Sequence, residues 1–94
     1  MDSIIQKDDS KCFICHSRQW LEWHHIWGGA LRNKSERYGL TVRLCHYCHN
    51  EQPNGVHQNK KIRLTLQRHA QRKAMERYNW TIDDFLKEFY KNYL

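Results

Sequence analysis

Bulky and β-branched residues cluster in two short segments of the first half of the chain, and each segment predicts a strand. Residues 20–26 are rich in aromatic and bulky side chains and are followed by a Gly28-Gly29 turn. Residues 40–44 contain two β-branched side chains. In the first segment the period of two divides the side chains between two faces, with Leu21, Trp23 and His25 on one and Glu22 and His24 on the other.

From residue 60 onward the apolar residues follow the spacing of a helix. The first helix is predicted over residues 60–78, with a stripe at i+4 spacing formed by Ile62, Leu66, Ala70, Ala74 and Tyr78. A second helix is predicted to begin at Thr81, because Thr81-Ile82-Asp83-Asp84 resembles a capping box with Asp in place of Glu. The second helix should bury Phe85, Leu86, Phe89 and Tyr93. The pattern predicts a small α+β fold.

The length of 94 residues suits one domain. We expect residues 1–10, which are polar and acidic, to form a flexible N-terminal tail, and residues 11–94 to form the domain. Residues 11–57 hold every cysteine and six of the seven histidines, and residues 58–94 should supply the basic helix and the C-terminal helix. A chain this short has a thin core, so a bound metal would stabilise it.

The formal net charge of +6 is concentrated in one segment. Residues 58–78 contain seven Lys or Arg side chains and one acidic side chain. Such a segment suits a phosphate backbone, and Lys61, Arg68 and Arg72, which lie off the apolar stripe, are the candidate DNA contacts. A solvated helix face explains the charge run alone equally well.

The sequence also bears on the cellular compartment. It has no apolar run of membrane-spanning length, and its N-terminus lacks the apolar region of a signal peptide. We therefore expect a cytoplasmic protein without a membrane partner. In that compartment paired cysteines are more often metal ligands than disulfides.

Two Cys-x-x-Cys motifs predict a structural zinc site. Cys12 and Cys15 form the first motif, and Cys45 and Cys48 form the second. Each motif directs two sulfur atoms at one centre, so the two together complete a tetrahedral site. A pair of disulfides and free thiols are the alternatives.

Histidines suggest a second metal site. His24 and His25 end the first predicted strand and point to opposite faces, so one can bind a metal while the other faces a substrate. His49 follows the last cysteine at the start of a predicted short helix, and His57 follows a turn-like run over residues 52–55. These positions allow His24, His49 and His57 to converge on one divalent cation and leave His25 free. Structural roles are expected for His16, His46 and His69.

Several motifs together resemble the HNH endonuclease family, whose active site is a ββα-metal hairpin. They are Cys12-x-x-Cys15, Trp23-His24-His25-Ile26, Gly28-Gly29 and Leu44-Cys45-x-x-Cys48-His49. Residues 22–57, with Lys-Ser-Glu-Arg-Tyr-Gly-Leu at 34–40, and the ending at 91–94 are similar more narrowly to small phage and prophage HNH proteins.

The resemblance implies a treble-clef-like ββα-metal core and hydrolysis of DNA phosphodiester bonds. It assigns His25 as the general base, His24 and His49 as ligands of the catalytic ion, and His57 as the closing ligand after a longer interval than usual. The catalytic ion would be Mg2+, Mn2+, Ni2+ or Zn2+. The implied partners are DNA and a larger phage packaging or recombination complex in a bacterial host.

One position departs from the family pattern. The family has an asparagine, which orients the base histidine, five residues before the third cysteine, where this chain has Leu40. Asn33 and Asn50 are the candidate replacements, although neither has the expected spacing. A group within residues 35–38 is another candidate.

Two other functions fit part of the sequence. A non-catalytic, zinc-stabilised accessory that binds nucleic acid in recombination or DNA packaging would use the same cysteines and basic helix. It would not need a His24-His25 pair facing His49. A treble-clef adaptor for other proteins leaves the charge of residues 58–78 unexplained.

Overall fold

The first half of the chain is built around two antiparallel strands. The computed structural model describes residues 2–51 and 53–94, with β1 at Leu21–His25 and β2 at Thr41–Cys45. The register pairs Leu21 with Cys45 and His25 with Thr41. Both predicted strands are therefore confirmed to within about a residue. Met1 of the expected tail and Gln52 of the expected turn lie outside the described residues.

The connection between the strands contains a short helix that the sequence pattern did not predict. After a 3-10 turn at Gly29–Leu31, α1 spans Arg32–Arg37. Its six residues are all polar, so no apolar stripe marks it. Ser35 in α1 is fully buried; its Oγ donates to the Trp27 carbonyl at 2.7 Å and accepts from the Trp27 N–H at 3.0 Å. These two bonds fix α1 against the end of β1.

Three further helices follow β2. The first, α2, spans His46–Asn50, so His49 lies in its last turn and not at its start as predicted. The second, α3, spans Lys60–Tyr78, as the apolar stripe predicts. The last, α4, spans Ile82–Phe89 and begins with the predicted capping box, since Thr81 Oγ1 accepts from Asp84 N–H and Asp84 Oδ2 accepts from Thr81 N–H. The fold is therefore a small α+β arrangement of a two-stranded sheet with helices.

The core lies between β2 and the two C-terminal helices. The Trp27 ring is central to it, with ring centroids 4.7 Å from Phe89, 5.5 Å from Phe85 and 5.3 Å from Tyr93. Of the predicted stripe on α3, the three middle residues are buried and the two ends are half-buried. The other buried apolar side chains include Ile26, Leu40, Val42, Leu44 and Val56.

Residues 3–6 correct the expectation of a flexible tail. Ile4 N–H donates to the Gly39 carbonyl at 2.9 Å, and Ser3 Oγ donates to the Thr41 carbonyl at 2.5 Å. Gln6 is only 7% exposed, and its Oε1 accepts from the Arg43 N–H at 2.8 Å. The polar side chains that suggested a solvated tail instead bond to backbone groups along β2, on the edge that β1 leaves free.

The described ranges, 2–51 and 53–94, contain no helix long and apolar enough to span a bilayer.

The replacement Ser35→Ala should lower the free energy of unfolding by about 1–3 kcal/mol, because two buried backbone groups of Trp27 lose their partner. Urea unfolding of the metal-loaded protein measures the change. Asn33→Ala, at an exposed position of α1, is the control and should stay within about 0.5 kcal/mol of the parent. Equal effects of the two changes would contradict the role given to Ser35.

Candidate metal centres

The four cysteines come together where the N-terminal segment, β2 and α2 meet. Phe13 N–H donates to the Arg43 carbonyl at 2.8 Å, which holds the turn of Cys12 and Cys15 against β2. Cys45 ends β2, and Cys48 lies one turn later in α2. The four sulfur atoms all lie within 4.8 Å of one another.

The spacing of these sulfurs suits a tetrahedral metal ion. Cys15 Sγ and Cys45 Sγ are 3.6 Å apart. Sulfurs bound to one zinc at about 2.3 Å are separated by about 3.8 Å, whereas a disulfide bond is about 2.05 Å long. All four cysteines are free thiols in this structure. The cluster can therefore hold a metal ion such as zinc, and the disulfide alternative has no support in the geometry.

The thiols also have the electrostatics of a metal site. Burial opposes ionisation of Cys12, but backbone N–H groups, first those of Cys15 and Cys45, outweigh it and lower the pKa of Cys12 to about 7. Burial raises the pKa of Cys48, and the neighbouring thiols raise it further. The Cys12 thiol therefore ionises more readily than an ordinary thiol, and ionisation of all four thiols requires a cation among them.

Three histidines form a second cluster, and α2 links it to the first because it carries both Cys48 and His49. The ring nitrogens of His24, His49 and His57 lie within 4.8 Å of one another. His49 Nε2 and His57 Nε2 are 2.9 Å apart, close to the separation of neighbouring ligands on one ion. Loop 53–57 returns to α2 through bonds from Val56 N–H to the Cys48 carbonyl and from His57 N–H to the His49 carbonyl.

His24 is the buried member of this histidine cluster. Only 3% of the His24 surface is exposed. Burial, followed by the nearby imidazoles of His49 and His57, lowers the pKa of His24 to about 3. The ring is therefore neutral at ordinary pH and offers a lone pair, which is the form that binds a metal ion.

Glu22 orients His49, a role that the sequence analysis did not assign. Glu22 Oε1 accepts from His49 Nδ1 at 2.7 Å, which leaves the lone pair of His49 on Nε2, facing His57. Carboxylates commonly orient metal-binding histidines in this way. The available signal was the alternation of β1, which places Glu22 on the same face as His24. Asn50 Nδ2 also donates to Glu22 Oε1, at 3.1 Å.

His25 lies beside the histidine cluster but is not part of it. Its side chain is 9% exposed, and its Nε2 is 2.8 Å from Glu36 Oε1. His25 and the three clustered histidines all line one cleft of about 210 Å3. Its lining residues are Trp23, His24, His25, Gly28, Gly29, Arg32, His49 and His57.

The other histidines lie outside this group. His16 is exposed with φ of +68° in the turn after Cys15, and His69 packs against Phe13 with ring centroids 6.0 Å apart. His46 Nδ1 lies 3.3 Å from Glu22 Oε2, so it contacts the cluster only through that carboxylate.

The basic side chains of α3 are separate from the cleft. Lys61, Arg68 and Arg72 are all exposed, and Arg68 Nε donates to the Tyr93 carbonyl at 3.0 Å. A basic residue that the sequence analysis did not single out contacts the histidine loop instead. Arg63 Nη1 donates to the carbonyls of Val56 and His57, at 3.2 and 3.4 Å.

Comparisons with protein-family models, with curated proteins and with solved structures found no match. The functional argument therefore rests on the residues and geometry of the two clusters.

After dialysis against a weak chelator, the protein should retain one tightly bound zinc per chain. Cys15→Ser should lower this content and weaken folding, because structural zinc commonly contributes about 10 kcal/mol or more to folding. Metal analysis and circular dichroism measure the two effects. Ile14→Ala, in the same turn but without a ligand atom, is the control and should retain the zinc. Less than one zinc per parent chain would contradict the four-cysteine site.

Proposed function

We propose that this protein is a metal-dependent endonuclease of the HNH type, which hydrolyses DNA phosphodiester bonds. The observation that carries the proposal is the convergence of His24, His49 and His57 beside His25 in one cleft. Hydrolysis of a phosphodiester needs an ion to stabilise negative charge and a base to activate water. The three clustered imidazoles could bind the ion, and the separate imidazole of His25 could act as the base.

The order of the elements also supports the HNH assignment. β1 and β2, whose connection contains α1, are followed directly by α2, with His24 on β1 and His49 on α2. This is the arrangement expected of a ββα-metal core. Cys45 and Cys48 lie immediately before His49, so metal binding by the cysteines would fix α2, and with it His49, relative to the two strands.

In the proposed reaction, His25 accepts a proton from water as the water oxygen attacks phosphorus. The phosphorus–oxygen bond to the 3′ oxygen then breaks, which leaves a 5′ phosphate. A divalent ion held by His24, His49 and His57 would stabilise the charge on the phosphate oxygens and on the departing 3′ oxygen. Glu22 keeps His49 in the tautomer that presents Nε2 to that ion.

The basic surface of α3 would hold the DNA. Lys61, Arg68 and Arg72 can contact phosphates, which positions the duplex without reading its sequence. The cytoplasmic location stays a prediction from the sequence. The phage or prophage origin and a larger packaging or recombination complex as partner stay predictions from the resemblance.

Plasmid cleavage with added Mg2+, Mn2+, Ni2+ or Zn2+ tests the nuclease. His25→Ala should cut about 10²–10⁴-fold more slowly, because the base is lost, yet should bind the ion as the parent does. His24→Ala should lose both cleavage and ion binding, which calorimetric titration measures. His16→Asn is the matched control, since asparagine tolerates the positive φ of that exposed site. Parental rates of cleavage by His25→Ala would overturn the assignment of the base.

The exposed basic side chains of α3 also fit the second candidate, a non-catalytic accessory that binds nucleic acid. Both functions predict binding that weakens with salt, so cleavage separates them. DNA bound with no cutting in any of the four ions would favour the accessory.

Lys61→Ala and Arg72→Ala should each weaken DNA binding and reduce the slope of log affinity against log salt by about 0.9 for each phosphate that the protein no longer neutralises. Fluorescence anisotropy across a salt series measures both quantities. Lys87→Ala, on α4, removes the same charge outside α3 and should leave the slope unchanged. An equal effect of Lys87→Ala would show that net charge, and not the α3 surface, determines binding.

A further inference from the structure

The sequence does not identify the residue that orients His25, because this chain has Leu40 where the HNH family, which it resembles, has asparagine. Neither candidate asparagine fills this role. Asn50 donates to Glu22, on the side of the metal-binding histidines, and Asn33 is an exposed residue of α1. The group in contact with His25 is the carboxylate of Glu36, with 2.8 Å between Glu36 Oε1 and His25 Nε2.

We infer that Glu36 is the positioning residue for His25, taking the place of the family's asparagine with a carboxylate. The inference rests on the proposed nuclease function. An ionised carboxylate can only accept a hydrogen bond, so His25 Nε2 carries the proton and the lone pair of the neutral ring is on Nδ1. Nδ1 is then the atom that accepts the proton from water.

The position of Glu36 is determined by its neighbours in α1. Ser35 bonds to both backbone groups of Trp27, two residues after His25. The chain segment that carries His25 and the helix that carries Glu36 are thereby joined at a buried point next to the contact. Arg32 Nε lies 4.0 Å from Glu36 Oε1, one helical turn away, so a positive charge is close to the carboxylate at the cleft.

The arrangement follows the principle of a carboxylate–histidine pair in acid–base catalysis. The carboxylate selects one tautomer, restricts rotation of the ring, and stabilises the imidazolium that forms when the base accepts a proton. An exposed ion pair between the same residue types would contribute little. In this pair the Glu36 side chain is 40% exposed, but the His25 side chain is only 9% exposed, so the orientation of His25 depends on the few groups that contact it.

Three variants separate positioning from a merely structural role. Glu36→Ala should lower kcat for plasmid cleavage about 10–100-fold, with KM and divalent-ion affinity unchanged. Glu36→Gln, whose amide oxygen can still accept from Nε2–H, should retain more activity than Glu36→Ala. Adding Glu36→Ala to His25→Ala should slow cleavage no further, because the two residues act as a unit. Asp9→Asn, at an exposed position of the N-terminal segment, changes the net charge equally and should leave kcat unchanged.

A spectroscopic measurement gives a readout independent of cleavage. Long-range 1H–15N NMR correlations of the zinc-loaded protein report which ring nitrogen of each histidine carries a proton. His25 should be protonated on Nε2 in the parent and in Glu36→Gln, and should become a mixture of tautomers in Glu36→Ala.

The outcomes distinguish this inference from the proposed function. A parent that cuts DNA, together with a Glu36→Ala variant of equal kcat or an unchanged His25 tautomer, overturns the inference and leaves the nuclease intact. A parent that binds the ion but cuts no DNA overturns the nuclease, and with it the role of Glu36 as a positioning residue, whatever the tautomer.

Discussion

Four sulfur atoms within 4.8 Å of one another join the three parts of the chain on which the site depends. Cys12 and Cys15 belong to the segment before β1, Cys45 ends β2, and Cys48 lies in α2. The core is modest, and four thiolates this close together repel one another unless a cation lies among them. A metal there would therefore contribute to folding as well as fix the positions of the three segments. The position of His49 follows from it, because His49 is the residue after Cys48.

Buried polar side chains supply the remaining positional accuracy. Ser35 bonds to both backbone groups of Trp27 and places α1 beside the cleft. Gln6 joins the N-terminal segment to β2, and the fully buried Gln71 bonds to Asn92 and to the Tyr93 N–H, which attaches the C-terminal residues to α3. Each of these side chains joins a segment without regular secondary structure to a helix or a strand, and hydrophobic packing alone would specify the position of such a segment poorly.

The three clustered histidines and His25 suit different chemical roles. A buried, neutral His24 with His49 and His57 suits a metal ion, whereas His25 is held by a carboxylate and is left outside the metal cluster. The two residues are adjacent on β1, and the alternation of a strand directs neighbouring side chains to different surroundings. The turn at the end of the strand allows both to reach the same cleft.

The sequence alone determined both strands, α3, the capped start of α4, and the grouping of the cysteines, because alternation, i+4 spacing, capping residues and Cys-x-x-Cys motifs are local signals. It also selected His24, His49 and His57 as one set. Only the tertiary structure revealed α1, the packing of residues 3–6, the carboxylate partner Glu22, and that Glu36 is the residue within the candidate segment 35–38 that contacts His25. A six-residue polar helix has no apolar period, and hydrogen bonds between residues 8 to 38 positions apart depend on how the segments pack, which no local pattern encodes.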